Sequence, residues 1–250
     1  MGQKVNPISF RTGVVLDWKS CWYANKDLYG KYVVDDYYIR DKIKRDFADA
    51  DIVSIYINKI LNKIEIYVFC NNPNVIIGEN GEKVNKLSDF ISKKLNKDVY
   101  INVKKQINKV NSSALTVSYI VQQLENRKPY KKVIKQAMSN VMGNRLSHGV
   151  KVYVSGRLNG AEIARGEQFR LGSIPLNSIR ANIDYYCGVA KTEYGTIGVK
   201  VWIYNIDNSK TSNSLYRIFE HENKDVKQKK YKNKNVNFKK NNKNFNTTNK

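Results

Sequence analysis

Features that build secreted, metal-knuckled or membrane-bound proteins are scarce in this chain. Its three cysteines, Cys21, Cys70 and Cys187, stand far apart with no CxxC pair, which excludes a disulfide framework and a zinc knuckle and fits a reducing compartment. Apolar runs are short: the longest are strand-sized, such as Ile64 to Cys70 with Glu65 and Tyr67 inside, whereas a bilayer crossing needs about 20 residues. The N-terminus lacks the apolar core of a signal peptide, and Asn6 stands where a myristoylation pattern needs Ser or Thr. No membrane partner is expected, and the location expected is cytoplasmic, with an organelle interior as the open alternative. Histidine is down to two, His148, placed at a helix end beside Gly149, and His221, next to the C-terminal tail. No GxxxxGK[ST], HExxH, GxSxG or GxGxxG motif occurs, so an ATP-driven step, catalytic residues, a cofactor and a small-molecule substrate are all absent from the reading. Asp46, Asp49 and Asp51 are the only acidic cluster with metal-ligand character, and a helix-to-strand turn collects aspartates anyway, so no metal site is expected.

Acid is the other scarcity. Against 44 Lys and Arg there are 22 Asp and Glu, a formal net charge of +22 on 250 residues, which calls for a polyanionic partner. Lysine supplies 34 of the cations and arginine 10, beside abundant Asn, Ile and Tyr, so part of the basicity reflects a compositional bias. Residues 224 to 250 hold 10 Lys, 8 Asn and a single acid, Asp225, and carry +9 without apolar periodicity. That stretch reads as a disordered basic tail. The remaining +13 sits on the part that folds.

Periodicity divides the chain into an N-terminal arm (1–16), a first domain (17–108), a second domain (109–206) and a basic Lys/Asn-rich tail (207–250). The arm is basic, broken by Pro7 and Gly13, and expected to need a partner to order it. Asp27 to Phe47 is helical, with Leu28, Val34, Ile39, Ile43 and Phe47 near one face. Ile52–Ile57 and Ile64–Phe69 form a hairpin by composition, around Asn58 and Asn62. A short helix follows Pro73, then Gly78-Glu79-Asn80-Gly81, a helix marked by Leu87, Phe90, Ile91 and Leu95, and a strand at Val99–Val103. In the second domain Ser112-Ser113 are candidate N-caps of a helix ending near Arg127. A second helix begins at Pro129 and buries Tyr130, Val133, Ile134, Ala137, Val141 and Met142. Strands follow at Val150–Val154, Glu162–Phe169, Arg180–Tyr186 and Ile197–Tyr204. The fold expected is α+β: an N-terminal type II KH domain, ordered α-β-β-α-α-β, then a two-layer domain of two helices on a four-stranded, largely antiparallel sheet.

Three motifs carry nucleic-acid chemistry. The GxxG of Gly78 and Gly81, flanked by helices, lets the backbone approach a phosphate. Glu79 and Asn80 between the glycines, and Glu82 beyond, should repel one, so a loop that grips RNA weakly or not at all is the open alternative. Lys128, Lys131, Lys132, Lys135 and Ser139 share roughly 100° of arc on the second helix of the second domain. Such a ridge suits a single strand sliding past; the alternative is an ordinary solvated face. Arg157, Arg165, Arg170 and Arg180 gather among glycines and could hold structured RNA, or pair with Glu162, Glu167 and Asp184. Lys4 and Arg11 in the arm join them as candidates for binding or docking on RNA.

Long ordered blocks then carry a resemblance. The opening Met1-Gly2-Gln3-Lys4-Val5-Asn6-Pro7, Trp22-Tyr23-Ala24, Ile76-Ile77-Gly78, Gln123-Leu124-Glu125-Asn126-Arg127, the run from Ser155 to Arg165, Arg180 to Tyr185, and Tyr194 to Ile203 resemble the family of KH-containing proteins numbered three in the small ribosomal subunit, in its bacterial-type form, over about residues 1–206. The resemblance implies a structural, non-enzymatic protein of the subunit head that binds small-subunit ribosomal RNA. It further implies tight neighbours numbered ten and fourteen, and a place beside those numbered four and five on the channel by which mRNA arrives. There, basic positions matching Lys131, Lys132 and Lys135 would face the message and help to separate paired strands without ATP. This sequence has Lys in place of Arg at the first two, and acidic Glu79-Asn80 in place of a basic pair. An extra-ribosomal KH regulator or RNA chaperone is the second function that the motifs allow.

Overall fold

A computed structural model describes residues 3–60, 62–106, 111–143 and 146–206. The basic tail expected from 207 onward, and His221 with it, lie outside the described residues.

The arm is itself structured. Asn6 accepts the Ile8 amide through Oδ1 at 2.9 Å and Pro7 occupies the first turn, so a one-turn helix α1 (Pro7–Arg11) forms. Its anchor lies within the chain: the Arg11 side chain is fully buried and donates to the carbonyls of Ala181 (2.8 Å), Leu176 (2.9 Å) and Ser178 (2.9 Å), far along the same sequence. A two-residue strand β1 (Ser20–Cys21), unforeseen in the sequence, follows and runs parallel to the edge of the first sheet.

Helix α2 (Lys26–Asp46) leads into β2 (Ile52–Ile60) and β3 (Lys63–Cys70), antiparallel and in register from Ile60↔Lys63 back to Ser54↔Phe69, with a bulge before Ile52↔Cys70. Helix α3 (Pro73–Ile77), the glycine loop, α4 (Glu82–Leu95) and β4 (Asp98–Lys105) complete the unit, with β4 parallel to β3. The sheet order is β1-β2-β3-β4. Ile39, Ile43, Ile57, Ile64, Ile66, Ile76 and Ile91 are fully buried between helices and sheet. Leu28 and Val34, expected on the buried face of α2, are exposed instead. Their half of the helix lies over a polar cluster: buried Lys59 pairs with Asp36 at 2.7 Å, donates to the Tyr32 carbonyl at 2.8 Å and lies over the Trp22 and Tyr32 rings, while Trp22 Nε1–H donates to Asp36 at 2.8 Å. The apolar stripe therefore begins only at Ile39.

The second unit stacks α5 (Ser113–Glu125) and α6 (Tyr130–Gly143) on a sheet of β5 (Ser147–Gly156), β6 (Arg165–Gly172), β7 (Ile183–Thr192) and β8 (Gly195–Asn205). The sheet order is β6-β5-β8-β7, antiparallel throughout. Val150, Val152, Val154, Val199, Val201 and Ile203 face the helices with no exposed surface and meet Ile120, Ile134, Ala137 and Val141. At ~25 cal/mol per Å² this shared apolar burial is the main force holding the two layers. The α5 cap comes from elsewhere than expected: Ser112 makes no side-chain cap bond, and the Asp184 carboxylate of β7 accepts the Ser113 amide at 2.7 Å. His148, expected at a helix end, is an exposed residue of β5 whose ring lies 5.0 Å from that of Tyr204. No helix among the described residues is long and apolar enough to cross a membrane.

Candidate nucleic-acid interface

Helix α6 sorts its residues by face. Tyr130, Val133, Ile134, Ala137, Met138 and Val141 are buried, whereas Lys131, Lys132, Lys135 and Ser139 are exposed, and Lys128 precedes them in the turn. Helix α6 contains no Asp or Glu, and among the described residues none of the four lysines stands within ion-pair distance of a carboxylate. Lys128 Nζ donates to Gln123 Oε1 at 2.5 Å and Lys131 lies 5.9 Å from the Tyr130 ring centroid. Together they form an uncompensated, solvated row of point charges on a rigid element, suited to successive phosphates and indifferent to base.

The glycine loop has the backbone its sequence demands. Gly78 (φ 70°) and Gly81 (φ 81°) adopt left-handed values, and a Cβ on Gly78 would sit 2.8 Å from Lys83 Cγ. Gly81 is the N-cap of α4, whose dipole would favour an anion, yet Glu79 is exposed there and Glu82 fills the first turn, 3.5 Å from Lys86. Two carboxylates thus occupy the ground a phosphate would need.

The arginines separate into different roles. Arg11 is spent internally, and burial pushes its guanidinium below the usual range. Arg157 is a turn clamp, donating to Ala161 at 2.9 Å and Tyr194 at 3.1 Å. Arg165 pairs with Glu167 at 3.4 Å, while Asp184 is engaged with α5 instead. Arg170 and Arg180 are exposed, as is Lys4; Arg170 donates to its own strand end at Gly172. No group of three or more metal-ligating side chains occurs among the described residues.

Sequence reasoning passed over the second face of the C-terminal sheet, where Lys151, Tyr153, Lys200 and Trp202 alternate with the buried valines. The same alternation that located those strands was the available signal.

With this geometry in place, comparison with known proteins is informative. The family described as "Ribosomal protein S3, C-terminal domain" matches residues 120–203, and the KH domain family matches residues 38–112. Small ribosomal subunit protein uS3 of Staphylococcus epidermidis is 41% identical over 215 residues, covering 86% of this chain and 98% of the relative. The protein of that name from Pelagibacter ubique is 40% identical over 205 residues, 82% of this chain and 90% of its own. That of Vesicomyosocius okutanii is 39% identical over 205 residues, 82% and 88% respectively.

Proposed function

The chain belongs to the family of small ribosomal subunit protein uS3, and from that premise we propose that it is a structural constituent of the small subunit which binds ribosomal RNA and lines the channel by which mRNA arrives. Members of this family are ribosomal proteins, not enzymes, and catalysis has no part in the reading. The single observation that carries the channel role is the exposed, acid-free ridge of Lys131, Lys132 and Lys135 on α6, with Lys128 in the turn before it. Lysines there hold a message by its phosphates, so that strand passage costs little and no base is selected. Bias toward the single strand at a channel mouth helps to open a paired message without ATP.

The same reading sets the protein in the subunit head, in the cytoplasm, with the neighbours numbered ten and fourteen packed against it and those numbered four and five around the channel. The KH unit then acts chiefly as a scaffold, because Glu79 and Glu82 oppose phosphate at its loop.

Replacing Lys131, Lys132 and Lys135 together by Ala tests the ridge. Translation of a hairpin-bearing message should slow several-fold relative to an unstructured one, with subunit assembly intact. Unchanged relative rates would remove the channel role.

A further inference from the structure

The C-terminal sheet carries its two long helices, α5 and α6, on one side. Because side chains alternate, every residue adjoining the buried valines of β5 and β8 points to the other side, and strand register sets them in rows. Ser155 of β5 is paired with Gly166 and with Gly198, a strip with almost no side chain. In the next row, Tyr153 is paired with Gln168 and Lys200. In the third, Lys151 is paired with Arg170 and Trp202, and Trp202 with Tyr185.

Three properties of these rows point to one class of occupant. Not one residue that the four strands turn to this side is Asp or Glu, the acid of β6, Glu167, being on the helix side where it accepts the Tyr130 hydroxyl at 3.0 Å. The cations are crowded rather than balanced: Lys151 is pushed below the usual lysine range by burial, then by Lys4 and by Arg170. The aromatic rings are held in place. Tyr153 lies across β6, since a Cβ on Gly166 would come within 2.2 Å of its hydroxyl oxygen, and Trp202 is held between Lys151 at 5.2 Å and Tyr185 at 5.2 Å.

The platform also has a wall. Beyond the third row, Ile174 and Ala181 of the segment before β7 close over Ile183, Trp202 and Tyr204, and Arg11 fastens that segment through its carbonyls. The open rows thus form a shallow floor bounded on one side.

We propose that this face is a second RNA-binding surface, which takes an unpaired RNA strand with phosphates on Lys151, Arg170 and Lys200 and a base against the ring of Tyr153. It rests on the reading of the chain as a ribosomal-RNA-binding protein and goes beyond it by naming the face. Four-stranded sheets that display fixed aromatics among cations bind single strands in this manner: charge tracks the backbone and rings receive bases. The lysine ridge lies in the helix layer, so the domain presents two nucleic-acid surfaces, one for strand passage and one for anchorage.

The test uses the full chain and a labelled, unstructured oligoribonucleotide of about ten nucleotides, titrated over a range of salt. Lys151→Ala, Arg170→Ala and Lys200→Ala together should weaken binding about tenfold or more and lower the salt slope by about 2, as expected for three phosphates on a single strand. Tyr153→Leu should weaken binding about fivefold without changing that slope. Lys31→Ala, Lys63→Ala and Lys105→Ala, three exposed lysines of the KH unit, remove equal charge and should cost less than about twofold. Equal losses in the two triple variants, or a neutral Tyr153→Leu, would overturn the proposal; so would retained RNA affinity, the outcome expected if the face took a protein. Should the sheet variant fail to fold, ultraviolet crosslinking of the unaltered chain decides: adducts in β5 and β8 support the face, and adducts confined to α6 or the KH unit overturn it. The hairpin-translation assay reads only the ridge, so either idea can fail alone.

Discussion

Arg11 shows how much one side chain can hold. Among the described residues its guanidinium has no carboxylate partner; it is ringed by carbonyl oxygens of Pro7, Pro175, Leu176, Ser178 and Ala181. A planar group with five N–H donors can satisfy such a ring, and a lysine ammonium, with three donors at a point, cannot. Removing the donors strands buried carbonyls at about 1–3 kcal/mol each. Arg11→Lys should therefore cost about 2 kcal/mol and Arg11→Met more, read as a lower thermal midpoint and faster proteolysis of the arm. A midpoint unchanged in both variants would show that the arm is dispensable. In the sequence this residue is one arginine of a basic arm and a candidate for docking on RNA. Nothing nearby distinguishes it from a solvated cation, because its acceptors lie up to 170 positions away.

Among elements, legibility follows how local the cause is. The period-two runs of β2, β3, β5 and β8, the glycines bracketing the KH loop and the buried stripe of α6 are written within a dozen residues each, and they are found there, save that Met138 is buried on α6 and Met142, expected in the stripe, only partly so. The cap of α5 is not. Its donor is the Ser113 amide, buried, and its acceptor is Asp184 on β7. Asp184→Ala should cost about 1–2 kcal/mol by leaving that amide unpaired and removing a negative charge from a helix N-terminus. Asp184→Asn, which keeps an acceptor, should recover most of it in chemical denaturation; equal losses would assign the effect to packing instead. The limit of α2's apolar stripe has the same origin, since the Lys59–Asp36 pair beneath it is made between α2 and β2. Of the candidate site, the ridge was legible because it occupies one helix. The open sheet face was legible only as alternation along single strands, because its rows exist only once β6, β5, β8 and β7 are laid side by side.

At the scale of the molecule, charge dominates. A net +22 cannot be neutralised within the chain, so the free protein carries self-repulsion that a polyanion relieves. Phosphate contacts alone would lose affinity steeply with salt, whereas an assembled component is also held by buried apolar and hydrogen-bonded surface. The protein should therefore stay with small subunits through a sucrose gradient at high salt; release to the top fractions at modest salt would identify an extra-ribosomal RNA binder instead. The Arg11 clasp has a consequence in time. During synthesis the arm is made before the segment it must grip, Ala181 following 170 residues later. At about 5–20 residues per second, the arm waits roughly ten to thirty seconds without its acceptors. The arm is thus made early and fastened late, its final contacts set by a segment deep in the second domain.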